Sequence, residues 1–440
     1  MSFSLLFLLK RWFMEHDGLH GKAMRRVVAA SFSGAMLEWY DFFLFGTASA
    51  LIFAPLFFPD YDPLTGIIAS FATFGVGFFM RPIGGIVFGH FGDKVGRRVT
   101  LIWTLLIVGV STFLIGCLPT YEQGGIWAPI LLLLCRLVQG FGLGGEYGGA
   151  ALLTIESAPK KRRGFLGSIP QAAASVGIMT ATGVFALCNS LFTHEEFMSY
   201  GWRIPFLLSA IILVVGSYIR IHTEEPAEFK KVKDSEKVVK APIIEVFKKH
   251  PKNMLLAIGA RLAETVSSNT INAFGMVYIS TVLLMDTSVP LMGMMIASAI
   301  GIVACPVFGL ISDKVGQRAV YLFGSGFCIL FAFPFFMLLD TQNITLIVIA
   351  LMVGYNLGPT AMFAVQPTMF AKMFGTNVRY TGLSFAYQFS AILGGLTPLI
   401  NSTLLQLGNT TYYFVAGYFL VISVIAFVSV KLIKPIDNEV

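Results

Sequence analysis

The sequence predicts an all-α membrane protein with twelve transmembrane helices arranged as two pseudo-symmetric six-helix bundles. Three observations lead to this prediction: the composition suits a chain surrounded by lipid, long apolar segments recur along it, and one motif occurs twice. Of the 440 residues, 56% are hydrophobic and only 12% are charged, whereas a soluble domain carries about 25% charged residues. Such a chain is expected to cross a bilayer repeatedly as helices, which satisfy their own backbone hydrogen bonds.

Apolar segments, broken by Gly, Pro and charged residues, set the positions of the predicted helices. Several exceed the ~20 residues that a helix needs to cross the hydrocarbon core. The predicted helices span residues 27–53, 66–90, 99–118, 125–155, 164–190, 202–222, 253–284, 289–312, 319–339, 343–371, 379–405 and 411–434. The expected organisation is a tail at 1–26, a bundle at 27–222, a lysine-rich linker at 223–252, a second bundle at 253–434 and a tail at 435–440.

Lys and Arg are confined almost entirely to one set of loops. All but four of the 31 Lys and Arg lie in the tails, in the linker region, or in the loops after helices two, four, eight and ten. The opposite loops, near Asp60, Glu122, Glu195, Asp286 and Asp340, carry none. By the positive-inside rule, both termini and the linker are expected to be cytoplasmic. The same distribution accounts for the net charge of +7, so nucleic acid is not an expected partner.

A short motif in the first half recurs in the second half. Residues Gly89, Asp93, Lys94, Val95, Gly96 and Arg98 reappear as Gly309, Asp313, Lys314, Val315, Gly316 and Arg318, each pair offset by 220 positions. Both copies fall between the second and third helices of their half. Duplicated halves with a binding site at their interface are typical of transporters.

No metal site, cofactor site or catalytic site is expected. The five cysteines, Cys117, Cys135, Cys188, Cys305 and Cys328, lie in or at the ends of apolar segments without metal-ligand spacing. The glycine-rich stretch at 140–149 does not fit the GxxxxGK[ST] phosphate loop. An ATP-driven pump or a membrane enzyme is therefore disfavoured.

Seven sequence motifs, in their expected order, resemble the major facilitator superfamily. The loop signature GHFGDKVGRR at 89–98 is the first indication. The others are EWYDF at 38–42, RPIGG at 81–85, RLVQGFGLGGEYGGA at 136–150, ESAPKKRRG at 156–164, GWRIPF at 201–206 and VRYTG at 378–382. The set is similar to the metabolite:proton symporter branch and, within it, to the shikimate transporter type. The resemblance implies a solute carrier that works by alternating access.

The resemblance implies a proton-coupling pair, Asp41 on helix one and Arg136 on helix four. An aspartate beside a guanidinium is ionised, and separation of the pair favours its protonated form. Glu38 shares the helix face of Asp41 and is the second candidate. The alternative interpretation is a permanent ion pair that only holds helices together.

Polar stripes on the predicted helices indicate substrate contacts. On helix four the stripe includes Gln139 and Tyr147, and on helix seven it includes Arg261, Glu264 and Asn272. The guanidinium of Arg261 would suit a substrate carboxylate, because its fork binds both oxygens. The alternative is an Arg261–Glu264 pair that neutralises itself. Further candidates, each also explicable as a helix–helix hydrogen bond, are Gln171, Tyr355, Asn356, Tyr387 and Gln388.

The repeated motif is expected to form the inner gate. In the family, the loop aspartates, here Asp93 and Asp313, form charge locks that break as the halves rock. The adjoining basic residues Arg97, Arg98 and Arg318 belong to the same gate, and Arg81 is assigned a gating or structural role. The second copy has Gln317 where the first has Arg97, which weakens the expected second lock.

The expected function is import of a small organic solute by proton symport, most consistent with an organic acid such as shikimate. A carrier of zwitterionic osmolytes of the proline/betaine type, a facilitator or exporter of the same fold, and a non-transporting receptor are the alternatives. The expected partners are the solute, protons and the lipid bilayer. The protein is expected to act as a monomer in the bacterial cytoplasmic (inner) membrane.

Overall fold

A computed structural model describes residues 19–95, 97–144, 154–155, 158–221, 248, 251–374 and 379–433. Within these residues the chain forms twelve long helices and no β-strand. This confirms the predicted fold class.

The first six helices lie close to their predicted positions. They are α1 (Leu19–Leu51), α2 (Pro63–Val95), α3 (Arg97–Cys117), α4 (Trp127–Leu143), α5 (Arg163–Leu191) and α6, which runs in segments from His194–Glu196 to Ser209–Ile221. Short helices at Phe53–Phe57 and Tyr121–Gly124 extend the connections after α1 and α3.

The last six helices repeat this arrangement. They are α7 (Pro251–Asn269, continuing to Tyr278–Val282), α8 (Ser288–Val315), α9 (Gln317–Asp340), α10 (Ile344–Tyr355, continuing to Ala361–Ala371), α11 (Arg379–Leu407) and α12 (Tyr413–Leu432). Most of the predicted linker, 223–252, lies outside the described residues.

Several helices extend beyond their predicted ends. Helix α1 begins at Leu19, eight residues before the predicted start, and α2 continues to Val95, five residues past the predicted end. Lys and Arg are good helix formers, so a helix can continue into water after its apolar part has ended. The apolar pattern marks the lipid-embedded part of a helix, and the helix itself is longer.

The surface of the bundle is apolar, and its interior contains charged side chains. Leu330 is 78% exposed and Leu407 is 70% exposed, whereas Arg136 is 1% exposed. Within the described residues, eight helices are long and apolar enough to span a membrane, and Ile102–Cys117 and Trp127–Leu143 are shorter apolar helices. Soluble monomers rarely expose large apolar patches, and an apolar surface of this kind is typical of a membrane protein.

Three π-helical turns interrupt α7 and α10. They span Thr270–Phe274 and Tyr278–Val282 in α7 and Asn356–Thr360 in α10. A π turn inserts one residue into the helical repeat and so shifts the face that the following residues present, and such turns are frequent at functional sites. Here they rotate polar residues of both helices with respect to a simple 3.6-residue stripe.

Helix α5 packs along α8 and α2 packs along α11, so these pairs join the first six helices to the last six. We use the term α5–α8 seam for the contact formed by Gly164, Ser168, Cys305, Gly309 and Ser312. An added Cβ at Gly309 would lie 2.2 Å from Ser168 Oγ and 2.7 Å from the Gly164 carbonyl oxygen. The Cys305 thiol donates to the Ser168 carbonyl at 3.4 Å. Small residues let the two helices approach at backbone distance.

The repeated motif forms a tight turn between α8 and α9. Gly316 has φ = +92° there, a conformation that glycine adopts without steric cost. We call the end of the bundle with this turn, which also carries Lys314 and Arg318, the basic end.

Candidate functional site

Six charged side chains are buried within the described part of the chain, and they are three arginines and three carboxylates. They are Glu38 and Asp41 on α1, Arg81 on α2, Arg136 on α4, and Arg261 and Glu264 on α7. An ionisable side chain inside a membrane is costly unless it is paired or faces water, so these positions are functional candidates.

The buried charges of α1 and α2 lie beside one another. Glu38 Oε1 is 4.0 Å from Arg81 Nη1, and the Arg81 guanidinium lies 4.7 Å from the centre of the Phe78 ring. Glu38 and Asp41 are three residues apart on one helix face, as their spacing predicts. Arg81 is therefore a partner of Glu38 at the contact between α1 and α2.

Arg136 is enclosed by aromatic rings and polar acceptors. It donates to the Phe74 carbonyl at 3.2 Å and to Gln139 Oε1 at 2.5 Å, and Gln139 in turn donates to Thr112 Oγ1 at 2.7 Å. Its guanidinium lies 4.6 Å from the centre of the Phe45 ring. Asp41 is 6% exposed and interacts electrostatically with Arg136. The predicted coupling residues thus belong to one buried cluster.

The second group of buried charges is on α7. Arg261 Nη1 donates to the Tyr387 carbonyl at 2.7 Å and to Ser390 Oγ at 2.9 Å. The guanidinium carbon lies 3.5 Å from the centre of the Tyr387 ring. Arg261 Nε is 3.8 Å from Glu264 Oε2. The arginine is therefore fixed against α11, and the carboxylate lies on its other side.

A small central cavity lies between the two groups of six helices. Its lining includes Trp39 and Phe43 of α1, Gln171 and Ser175 of α5, Glu264 and Ser268 of α7, and Tyr355 and Thr360 of α10. It has room for roughly one water molecule in this conformation. Arg261 is not among the lining residues.

The predicted substrate contacts divide into two groups. Gln171, Glu264 and Tyr355 line the cavity. Asn356 donates to the Ala297 carbonyl at 2.9 Å, and Gln388 donates to the Gly144 carbonyl at 3.2 Å. These two bonds join α10 to α8 and α11 to α4, as in the helix–helix alternative.

The remaining predicted contacts lie near the cavity or outside the described residues. Asn272 is buried in the first π turn of α7, and its Oδ1 has no hydrogen-bond partner within the described residues. Tyr387 packs under Arg261. Tyr147 falls in 145–150, outside the described residues.

Sequence reasoning did not select several residues of the site. Thr360 and Phe363 line the cavity on α10, and Ser390 holds Arg261. Trp39, which belongs to the EWYDF motif, lines the cavity as well. The available signal for α10 was Pro359 inside an apolar helix, which marks irregular backbone.

Asp313 fastens the basic end by accepting hydrogen bonds from backbone groups of the other half. Its Oδ1 accepts from the Gly164 N–H at 2.7 Å and its Oδ2 from the Phe165 N–H at 3.0 Å. These N–H groups begin α5, where the helix dipole also favours a negative charge. Asp313 is therefore a bridge between the halves.

The other predicted gating residues have local partners or are not described. Arg318 donates to the Lys431 carbonyl. Gln317, which replaces the arginine of the first copy, accepts from Lys372 Nζ at 2.8 Å. The side chains of Asp93, Arg97 and Arg98 lie outside the described part of the structure.

Asp313→Ala is expected to lower the transport rate while solute binding persists. The change removes two charge-assisted hydrogen bonds, each contributing about 1.5–3 kcal/mol, so the basic end would spend less time closed. Uptake into proteoliposomes and equilibrium binding in detergent measure the two properties separately.

The matched control is Asp286→Ala. Asp286 Oδ1 accepts from the Ser288 N–H at the start of α8, and hydrogen bonds from Ser288 lower the pKa of this carboxyl. It is thus an ionised aspartate at a helix start that bridges no halves. Equal loss of transport in both variants would contradict the bridging role of Asp313.

Comparison with known proteins identifies the family. The chain is 39% identical over 413 residues to the shikimate transporter of Escherichia coli (strain K12), covering 93% of this chain and 94% of that protein. It is 36% identical over 432 residues to the proline/betaine transporter of Salmonella typhimurium, covering 95% of this chain and 85% of that protein. The crystal structure of a D-xylose–proton symporter matches with a TM-score of 0.69 at 16% identity, covering 93% of this chain and 98% of that one. The profile of the Major Facilitator Superfamily matches residues 32–398, so this chain is a membrane transporter rather than an enzyme and belongs to that superfamily.

Proposed function

We propose that this protein imports a small organic acid, such as shikimate or a related carboxylate, together with protons. The observation that carries the proposal is the small central cavity, which side chains of both halves line and which has the buried carboxylate of Glu264 in its wall. A binding site of this kind can open to either side of the membrane as the halves rock.

Contacts on both sides of the cavity support alternating access. The α5–α8 seam and the Asp313 bridge hold the basic end together. Away from that end, α1 packs against Thr270–Phe274 and Gly275–Val277 of α7. Import requires that these two sets of contacts open in turn.

The proposed orientation places the basic end in the bacterial cytoplasm. The confinement of Lys and Arg to one set of loops supports it. The protein would then lie in the cytoplasmic (inner) membrane as a monomer, with its tails at 1–26 and 435–440 and its linker at 223–252 inside the cell, between bundles at 27–222 and 253–434.

The proposed coupling group is the cluster of Asp41 and Arg136, with Glu38 as the second candidate. Burial of both members at the junction of α1, α2 and α4 supports this role, since a carboxylate that leaves its arginine in such surroundings favours the protonated form. Asp41 would then alternate between an ionised state near Arg136 and a protonated state.

A zwitterionic osmolyte is the second candidate substrate. Glu264 lines the cavity and could pair with a substrate ammonium group, and the proline/betaine transporter is among the relatives. The similarity to the shikimate transporter of Escherichia coli and the buried guanidinium of Arg261, which could bind a carboxylate, favour an organic acid.

Uptake by proteoliposomes tests the proposal. With an inward proton gradient, labelled shikimate should accumulate above its external concentration, and a protonophore should abolish the accumulation. Accumulation of labelled glycine betaine, with no uptake of shikimate, would replace the organic acid by the zwitterion.

Arg261→Gln is expected to weaken shikimate binding by about 1.5–3 kcal/mol, the range for a hydrogen bond to a charged group. The guanidinium would reach the substrate carboxylate once the cavity opens and its hold on Tyr387 and Ser390 loosens. Isothermal titration calorimetry measures the change.

Arg203→Gln is the matched control, because Arg203 donates to the Gly116 and Leu118 carbonyls away from the cavity. The methyl ester of shikimate should bind wild type poorly. If that ester competes as well as the free acid, no carboxylate is recognised and the role of Arg261 is wrong.

A further inference from the structure

We infer that Glu264 takes up a proton when an anionic solute enters the central cavity, so that the anion and the proton bind as a pair. The inference deepens the proposed function and rests on it, since it concerns a carboxylate substrate in the same site. Proton uptake at Glu264 on solute binding differs from the proposed role of Asp41 and Arg136, which control the conformational change between the inward-facing and outward-facing states.

Glu264 lies in the wall of the cavity, whereas Arg261 lies outside the lining and next to Glu264. Glu264 lines the cavity, and its Oε2 has no hydrogen-bond partner within the described residues. Arg261 is held by the Tyr387 carbonyl and Ser390 on α11 and does not line the cavity. A solute carboxylate that enters as the cavity opens would therefore meet the carboxylate of Glu264 before it meets Arg261.

The other titratable groups around Glu264 cannot offset that repulsion. Within the described residues, those that face it or share its cavity are Tyr387 of α11, Tyr321 and Cys328 of α9, Tyr355 of α10 and Cys305 of α8. Phenols and thiols are neutral at neutral pH in apolar surroundings. On its own helix Arg261 supplies one positive charge, and the Glu38–Arg81 pair beyond Tyr387 is balanced within itself.

The net charge of Arg261 and Glu264 then determines whether a proton binds together with the solute. Arg261 and ionised Glu264 sum to zero. An anion alone would leave the buried site with a net charge of −1, which lipid and protein solvate poorly. An anion with one proton on Glu264 restores zero, with Arg261 balancing the substrate carboxylate. The protonated carboxyl can also donate its O–H to an oxygen of that carboxylate.

A zwitterionic solute would instead require Glu264 to stay ionised beside Arg261. Its own charges sum to zero, and its cationic group can pair with ionised Glu264. Binding of glycine betaine would therefore take up no proton at Glu264. The number of protons bound with each solute separates the two cases.

Isothermal titration in buffers of different ionisation enthalpy counts these protons in the purified full-length protein. With shikimate as the probe at about pH 8.5, wild type should take up close to one proton per bound anion, and its affinity should fall about tenfold for each further unit of rising pH. Glu264→Gln should bind shikimate with no proton uptake and little pH dependence. Glu122→Gln, which removes an exposed carboxylate, should behave as wild type, and Asp41→Asn should keep the proton uptake.

Infrared difference spectra provide a readout that does not depend on the variant folding. Shikimate should induce a protonated-carboxyl band in wild type, and ¹³C-labelled glutamate should shift that band. Proton uptake that survives in Glu264→Gln, or wild-type binding of shikimate without the band and without proton uptake, overturns the inference and leaves the proposed function standing. Binding of glycine betaine and not of shikimate removes the proposed substrate class, and this inference with it.

Discussion

Asp41→Asn is expected to lose all proton-driven accumulation of solute while it still exchanges labelled for unlabelled solute. The amide side chain of this variant cannot ionise, so it would hold the carrier in the state that corresponds to protonated Asp41. If the empty carrier can return to its outward-facing state only when Asp41 is ionised and close to Arg136, that return stops in the variant. Exchange persists because both of its steps occur with solute bound. Proteoliposomes with an inward proton gradient measure accumulation, and preloaded ones without a gradient measure exchange.

The matched control for this variant is Asp62→Asn. Asp62 accepts from the Thr65 N–H at the start of α2, and its side chain is exposed at the end opposite the basic end. Its neutralisation should leave accumulation intact. Asp41→Asn protein that still concentrates solute would exclude Asp41 as the coupling residue and leave Glu38 as the other carboxylate of the α1 cluster.

Gly309→Ala is expected to abolish transport by keeping the α5–α8 seam apart. The added methyl group would lie 2.2 Å from Ser168 Oγ and 2.7 Å from the Gly164 carbonyl oxygen, distances at which the helices must separate. A carrier whose basic end cannot close completes no transport cycle. Proteoliposome uptake measures the loss. Cys305, 1% exposed in the closed seam, should also become reactive to N-ethylmaleimide, which mass spectrometry can localise.

Gly417→Ala controls for the change of residue type. Gly417 lies in α12, and an added Cβ there meets no atom within 4 Å. Both substitutions replace a helical glycine and gain the same intrinsic helix propensity, about 1 kcal/mol. If Gly309→Ala transports as well as Gly417→Ala and Cys305 stays unreactive, close approach at the seam is not required.

The sequence predicted the number and order of the helices because lipid imposes a strong constraint on composition. Most crossings are long apolar segments, and such segments are visible in the sequence. The ends were less accurate: α2 continues through Asp93 and Lys94, since polar residues do not stop a helix that has reached water. The π turns of α7 and α10 had no comparable signal, because they depend on packing against neighbouring helices.

The sequence predicted many of the residues of the site but not which of them contact one another. Spacing alone placed Glu38 and Asp41 on one face of α1, whereas the approach of Arg81 to Glu38 depends on the rotation of α2 against α1. The partners of Asp313 could not be predicted, because backbone N–H groups are alike at every position and only the fold brings those of Gly164 and Phe165 to it. Arg261 was expected to face the cavity, and its attachment to α11 depends on the same kind of tertiary information.

The equal number of buried arginines and carboxylates within the described residues has a consequence for membrane voltage. With three of each, the described core of the empty carrier has no net charge when Asp41 is ionised. The loaded carrier holds the anion, one proton on Glu264 and one proton on Asp41, which sum to +1. Inward movement of the loaded form would therefore carry one positive charge through the electric field of the bilayer, in which each elementary charge gains or loses about 2.3 kcal/mol per 100 mV. Two protons per anion would concentrate the acid about a hundredfold per unit of pH difference, and an inside-negative voltage would add to this. A zwitterion carried with the Asp41 proton alone would also move one positive charge, but it would be concentrated only about tenfold per unit of pH difference.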